Sequence, residues 1–388
     1  MCTSSACLPP CAQVLPPVPA LSQFSSASAR LCLHVAHFIQ AIVPPAANAQ
    51  QGALLPCPLI IGLSGGADST ALLTLLLALR PRLGCTLHAV HINHQLRPES
   101  EAEAAHVAAL CRAWGVPCEC TALPIAALAA QWHMGIEEAA RKARYAAFAA
   151  AQQRLGAAWV CTAHHSGDLE EDIVLRLLRG AGWPALGGMP ALDAQRRIMR
   201  PLLLTEPATL RALLCELGIP WVEDASNQSR AYKRNRVRHD VLPLLKQENP
   251  AFTAGMRQLW QLAGIDAQHW QQALDAALKA HPWQLCLHAE HKAKANTTGQ
   301  PCPAHSLSLP RALLRSLDQS LRLRLYKRAL QHFPAAQPRA QTLLALDAAW
   351  AAGRGGTLFQ LGGGICASLS QGAISFSSAA PPSAPAKE

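Results

Sequence analysis

The feature that most constrains this chain is an alternation of strand-like and helix-like segments from Leu59 to Leu178. Leu59–Leu63 is an apolar run that ends in glycine-rich sequence, and an apolar helix is expected from Ser69 to Leu79. Thr86–Ile92 and Val116–Leu123 are β-like, separated by a helical stretch over Glu101–Trp114 that Gly115 closes. An alanine-rich helix, Gly135–Leu155, precedes a short buried strand at Ala158–Cys161 and a further helix at Leu169–Leu178. Strands joined by helices of this length predict parallel βαβ units, with helices on both faces of one sheet. Ligands of such sheets bind at the carboxyl ends of the strands, so the residues directly after each strand are where chemistry is expected.

After about residue 205 the alternation stops. Helical patterns cover Glu206–Leu217, Val237–Lys246, Ala254–Leu278 and Arg311–His332, segment 290–307 reads as a polar loop, and 356–376 reads as a β-hairpin. The expected organisation is a Ser/Pro/Ala-rich disordered leader (1–28), an α/β catalytic domain with a leading helix (29–230), a smaller, mainly helical domain ending in a β-hairpin (231–376), and a disordered tail (377–388). The leading helix is expected over 29–43, stopped by Pro44-Pro45.

Composition narrows the class. Charged residues are only 15% of 388, yet Lys and Arg number 34 against 24 Asp and Glu, a net charge of +10. This excludes a highly charged disordered chain and leaves two readings, a polyanionic partner, nucleic acid before membrane surface, or a charge that serves solubility alone, between which the position of the charge decides. Segments 230–246 and 311–328 each hold six basic residues and one acid, which accounts for the whole excess. The junction and the helical domain are therefore expected to carry the polyanion. The fourteen cysteines contain no Cys-x-x-Cys; Cys118-x-Cys120 is the closest pair. That scatter argues against a zinc or disulfide framework and for reduced thiols in a cytoplasmic protein. No apolar stretch reaches the ~18 residues of a membrane span.

The first post-strand loop is Ser64-Gly65-Gly66-Ala67-Asp68-Ser69-Thr70, running straight into a helix. Glycines let backbone approach an anion, and the helix N-terminus turns free amides and a positive dipole toward it. A Walker A loop is excluded because no lysine is present. Asp68 would repel a bare phosphate, so it implies Mg²⁺ or a cationic substrate nearby. Strand two runs into His91-Ile92-Asn93-His94-Gln95-Leu96-Arg97. His88, His91 and His94 are three apart and alternate faces of a strand, which disfavours a shared metal. Glu137, Arg141 and Arg144 fall on one helix face, either a solvated ion-pair face or a set of phosphate-directed guanidiniums. Strand four is followed by Thr162-Ala163-His164-His165-Ser166-Gly167-Asp168-Leu169-Glu170-Glu171-Asp172. Arg230–Arg238 crowds five basic residues at a helix start, where acids are favoured, so a polyanion is expected to balance them.

The string SGGxDS after strand one resembles the phosphate loop of the PP-loop ATP pyrophosphatases. Within that superfamily, His91–Arg97, the Arg141–Tyr145 element, the segment 162–180 and the stretch from Asp224-Ala225-Ser226-Asn227 to Pro243 are similar to the tRNA(Ile)-lysidine synthetases. Gln95 stands where glycine is usual, and Gly167 and Leu169 replace an Asp and a Gln. The resemblance implies an enzyme that binds ATP with Mg²⁺, free lysine and tRNA(Ile) with a CAU anticodon. It would adenylate the wobble cytidine at its C2 oxygen, then replace AMP with the lysine ε-amine. It implies ATP contacts at Ser64, Gly65, Gly66, Ala67, Asp68, Ser69, Arg141 and Arg144, and catalytic roles for Asp68, Asp168 and His164. Asp68 and Asp168 are the candidates for metal and for lysine, with the division between them open. His164 would polarise the cytidine or stabilise phosphate charge. Arg234, Arg236 and Arg238 would hold the tRNA backbone. The oligomeric state stays open, a homodimer among the options. Two other readings are a PP-loop tRNA thiolase and a tRNA-binding protein with a decayed ATP site.

Overall fold

The computed structural model describes residues 16–17, 20–43, 55, 57–223, 230, 232–281, 284–287, 305–333, 336, 338–370 and 372–378. Asp224–Asn227, most of the leader, residues 290–304 of the polar loop and 379–388 of the tail lie outside them. The chain divides into two compact units, Met1–Gly264 and Ile265–Glu388. That division falls further along the chain than the junction at 230/231 read from the sequence.

The first unit is built on a six-stranded sheet in the order β3-β2-β1-β4-β6-β5. Its strands are β1 (Pro58–Gly62), β2 (Thr86–Asn93), β3 (Cys118–Ala122), β4 (Trp159–Cys161), β5 (Leu192–Asp193) and β6 (Ile198–Met199). The first four and β6 pair in parallel; β5 pairs antiparallel to β6 and forms an edge. Strands of two residues carry no periodic signal, so β5 and β6 were not legible in the sequence. The helices are α1 (Ser26–Ile42), α2 (Ala67–Leu83), α3 (Ser100–Ala113), α4 (Ile125–Gln131), α5 (Ile136–Leu155), α6 (Ser166–Leu178) and α7 (Pro207–Glu216). Alternate residues of β1 enter different cores. Leu59 and Ile61 join the cluster of α1, α2, α3 and α7, whereas Ile60 joins Phe148 and Ala151 of α5. The sheet is thus covered on both faces, which a parallel sheet needs.

Helix α1 begins earlier than its apolar pattern suggests. Ser25 caps it, and Glu216 at the end of α7 accepts from Ser25 N at 2.8 Å, Ser25 Oγ at 2.8 Å and Ser28 Oγ at 2.7 Å. Residues 21–23 add a 3₁₀ turn before it, so ordered chain reaches back into the segment read as a leader. The helix expected over Val237–Lys246 starts earlier, with α8 (Lys233–Arg236), and continues as a π-helical turn (Val237–Val241) and α9 (Leu242–Glu248). A long helix, α10 (Phe252–Ala280), follows.

In the second unit the segment read as a hairpin supplies three strands of a five-stranded antiparallel sheet. Its order is β7-β8-β11-β10-β9, with β7 (Gln284–Leu287), β8 (His305–Pro310), β9 (Leu358–Gln360), β10 (Ile365–Leu369) and β11 (Ala373–Ser378). Three helices pack with it: α11 (Arg311–Ser316), α12 (Gln319–Leu330) and α13 (Ala340–Ala351). The single helix expected over Arg311–His332 breaks because Asp318 caps a new start, accepting from Leu321 N at 2.9 Å.

The buried polar contact of this unit is a carboxylate, Asp347, at 1% exposure. Arg322 donates to it through Nε at 2.7 Å and Nη2 at 3.0 Å, and the Tyr326 hydroxyl donates at 2.9 Å. Removing one partner of a buried pair costs about 3–5 kcal/mol, because the other charge is left uncompensated. Asp347→Ala is therefore expected to lower stability by about that amount in urea denaturation followed by circular dichroism; an unchanged midpoint would show that the pair carries no net energy.

Candidate active site

Strand β1 has β2 and then β3 on one side and β4 on the other. The strand order reverses there, so the loops after β1 and β4 open beside each other at a topological switch point. With Ile61 opposite Cys161 in the parallel register, the loop 64–69 and the loop 162–168 emerge side by side. Both feed directly into helices, α2 and α6.

The first loop is held open by its own side chains. Ser69 Oγ accepts from Ser64 N at 3.2 Å and donates to Gly66 O at 3.1 Å, and the Ser64 and Ser69 hydroxyls lie 3.0 Å apart. Gly65 has φ +88°, and a Cβ there would meet Val107 Cγ2 at 3.0 Å, so glycine is required on both grounds. Val222 N donates to Gly65 O at 2.9 Å. His91 is buried, and its Nδ1–H donates to Leu63 O at 2.8 Å. The carbonyl can only accept, so this bond fixes the tautomer. His91 thus steadies the residue before the loop. The usual glycine at position 95 is not needed: Gln95 takes φ +51° itself, and its N–H donates to Asn93 Oδ1 at 2.9 Å.

Asp68, in the first turn of α2, has one oxygen, Oδ1, that is buried with no hydrogen-bond partner. Its other oxygen lies 3.5 Å from His165 Nε2, and the same nitrogen lies 3.5 Å from Asp168 Oδ2. His165 therefore bridges the two aspartates. It is also the N-cap of α6: its ring accepts from Asp168 N at 3.4 Å and its own N–H donates to Asp168 Oδ2 at 3.0 Å. Burial opposes its charged form, but the Asp68 and Asp168 carboxylates outweigh that and raise its pKa. Sequence reasoning singled out His164 and passed over His165; its position as the residue before an acid-rich helix start was the available signal.

His164 is different. Burial, reinforced by the charges of Arg200, Arg234 and Arg144, brings its pKa down to about 4 against the pull of Asp168, and Thr162 Oγ1 lies 2.9 Å from its Nδ1. It is a neutral imidazole at pH 7. Arg144 also presses on His94, which burial brings to about 4, so Arg144 faces this cluster. Arg141 instead lies over the Tyr145 ring at 4.9 Å, with Arg196 also over that ring at 5.5 Å. Arg200, at 4% exposure, is a second residue that sequence reasoning missed. It follows the two-residue β6, whose brevity hid it. Its Nη1 donates to Pro190 O at 2.7 Å, while its Nε has no partner.

The structure places the three arginines expected on RNA in two settings. Arg234 donates through Nη2 to Asp168 Oδ1 and through Nε to Glu171 Oε2, both at 2.6 Å. Arg238 Nε reaches Glu171 Oε1 at 2.5 Å. Glu171 is 1% exposed, so two guanidiniums cover both of its oxygens inside the protein. Arg236 is exposed and donates to Arg230 O at 3.0 Å. Arg230 pairs with Asp240 at 3.1 Å and Lys246 with Glu170 at 2.8 Å. Much of the basic excess in 230–246 thus balances carboxylates of the same unit. The substitutions at 167 and 169 fit this packing. Leu169 is buried with Ile173, Leu203 and Leu204, and a Cβ at Gly167 would come within 3.0 Å of the His165 ring.

For a divalent cation the two aspartates differ. Asp68 offers a buried oxygen with no partner beside the phosphate loop, which fits an ion held by one carboxylate and by substrate phosphates. Asp168 has one oxygen committed to Arg234 and the other to the His165 amide. Among the described residues no group of three or more His, Cys, Asp or Glu could hold a metal alone.

The bridge makes a sign-defined prediction. His165 has a raised folded-state pKa, so its contact contributes stability that is fully present below its unfolded value of about 6.5 and is lost as pH rises through the folded value. Asp68→Asn is expected to lower the His165 midpoint in an imidazole NMR titration; an unchanged midpoint would show that the aspartate does not hold the charge.

A family model described as a PP-loop domain matches residues 45–245. A tRNA(Ile)-lysidine synthase of Nitratidesulfovibrio vulgaris is 51% identical over 325 residues, covering 84% of this chain and 93% of that protein. The tRNA(Ile)-lysidine synthase of Geobacillus kaustophilus is 34% identical over 69% of this chain and 56% of its own length. That of Pseudomonas fluorescens is 41% identical over 50% of this chain and 43% of its own. The phosphate loop at the switch point and the paired aspartates thus sit in a chain that belongs to the tRNA(Ile)-lysidine synthase family of PP-loop proteins.

Proposed function

We propose that this protein is an ATP-dependent tRNA(Ile)-lysidine synthase acting in the cytoplasm on the wobble cytidine of a CAU anticodon. The observation that carries this reading is the Asp68–His165–Asp168 bridge beside the phosphate loop. It sets carboxylates for a cation and for an ammonium next to a polyphosphate cradle. The cytidine C2 oxygen attacks the α-phosphorus of ATP and pyrophosphate leaves; the lysine ε-amine then attacks C2 and AMP leaves.

The amides at the start of α2 and the Ser64 and Ser69 hydroxyls hold the polyphosphate. Arg144 and Arg200 face His164 and supply positive charge where phosphate charge develops. Asp68 would hold Mg²⁺, whose chemistry is to screen the phosphate oxygens. Asp168 suits the ammonium of lysine. Burial raises its pKa, but the neighbouring His165 ring, the Arg234 guanidinium and the His165 backbone N–H more than offset this and keep it below the ordinary aspartate value. A carboxylate so stabilised holds a cation well and takes a proton poorly. His164, neutral in the free protein, acts as a hydrogen-bonding group on the base or a phosphate oxygen. Arg234 and Arg238 act by holding Asp168 and Glu171, which leaves Arg236 of that trio as the outward-facing group for RNA backbone. The target base has to leave its loop stack to reach this site.

A thiolase reading is not favoured: among the described residues no cysteine contributes to the cluster. Cys161, at the end of β4, is fully buried, and burial raises its pKa.

The test is incubation of a CAU-anticodon transcript with ATP and labelled lysine, followed by mass spectrometry of the wobble base and measurement of pyrophosphate. Lysine incorporation with pyrophosphate release is expected; release of neither overturns the reading. Asp168→Asn is expected to abolish modification while tRNA affinity stays near wild type. A collapse of affinity together with the melting temperature would assign Asp168 a structural role instead.

A further inference from the structure

Outside the catalytic cluster, α1, the turn 204–206 and α10 surround an open pocket of about 290 Å³. Its polar lining is Arg30, His34, Thr205, Glu206 and Arg257, with Leu31 among its apolar wall. Two guanidiniums and one carboxylate give it an excess of positive charge. Neither Arg30 nor Arg257 has an ion pair among the described residues. Arg257 spends Nη2 on Leu204 O at 3.0 Å, and its Nε is buried without a partner. Thr205 is 5% exposed, and its Oγ1 is also buried without a partner. Unpaired buried donors are rare in native proteins, and an ion or an ordered water is a common partner for them. The first turn of α7 adds Thr209 to the lining; its backbone N–H is already given to Glu206 O at 3.1 Å, and Pro207 has none to offer. Burial and the Arg257 charge lower the pKa of His34, consistent with a positive potential there.

We propose that this pocket binds a phosphate group, held by the Arg30 and Arg257 guanidiniums with the Thr205 hydroxyl, at a site separate from the ATP loop. Arginine pairs joined by a hydroxyl donor suit a phosphate. The Thr205 carbonyl accepts from Ser166 N at 2.9 Å. The wall of the pocket is therefore tied to the first residue of α6, the helix that carries Asp168. A phosphate of the RNA backbone seated here would fix the register of the substrate against the reacting centre. The assignment to RNA rests on the function proposed above; the phosphate site itself does not.

Two arms separate these. In the first, inorganic phosphate is added to the full-length protein and compared with chloride at equal ionic strength, using wild type, Arg30→Gln and Arg257→Gln. Phosphate is expected to raise the melting temperature of wild type by more than that of either variant. An equal rise in all three overturns the site. Arg30 is exposed on α1, so its variant keeps the test valid should Arg257→Gln fail to fold. In the second arm, binding of a CAU-anticodon transcript is measured against salt without ATP. For an RNA phosphate, each variant is expected to weaken binding about tenfold at low salt and to reduce the slope of log affinity against log salt by about one. If phosphate stabilisation is lost in the variants but the slope is unchanged, the site takes a free phosphate rather than RNA. A wild type that fails to modify the transcript overturns the proposed function and leaves the first arm standing.

Discussion

The buried carboxylate of Glu171 organises the first unit. It cannot stay charged inside the protein without compensation, and both of its oxygens are met by arginines from a segment more than sixty positions later in the chain. That demand draws 233–241 onto α6. A second rung repeats it: Glu170, 2% exposed, takes Lys246 at 2.8 Å and the Thr253 hydroxyl at 2.6 Å. With α6 clamped along its buried face, its first turn is fixed, and His165 and Asp168 acquire defined positions relative to Asp68. The geometry of the reacting centre is thus inherited from ion pairs beside it.

The cluster that results is divided by charge. Asp68, Asp168 and Glu171 lie on one side, where Arg234 and Arg238 offset charge and His165 bridges the two aspartates. Arg144 and Arg200 lie on the other, where no ion pair to a carboxylate is found among the described residues and where burial, reinforced by these charges, lowers the pKa of His164. A site that must gather a polyphosphate and an ammonium needs both kinds of surface within one cavity, and the two loops after β1 and β4 bring them to one edge of the sheet.

Much of this was legible in the sequence because the signals were local. The βαβ alternation, the glycine-rich loop before an apolar helix and the acid-rich start after Cys161 each lie within a few residues. What was hidden depended on distance. The inward turn of Arg234 and Arg238 follows from partners far upstream, so a run of basic residues read as an RNA surface is in part the counter-charge of a buried glutamate. β5 and β6 are too short to show periodicity, and with them went Arg200. Asp318 sat unremarked inside a helical pattern, although a cap residue followed by a fresh helical run was enough to mark the break. In the second unit the same lesson holds: Arg322, Arg324 and Arg328 contribute to the net charge, yet they engage Asp347, the Trp270 ring and Asp275.

The π-helical turn at Val237–Val241 has a consequence for how this segment can change over evolutionary time. It holds one residue more than an ordinary helical turn would, and on either side of it the chain must satisfy a different glutamate: Arg234 before it, Lys246 after it. Losing one residue from the regular helix on either side would rotate everything downstream by roughly 100°, the angular step of one helical residue. Lys246 would then swing away from Glu170 while Arg234 stayed in place. Losing the surplus residue of the turn itself would regularise the helix and leave both contacts in phase. Point substitutions can be absorbed along this stretch, but its length can change only at that turn.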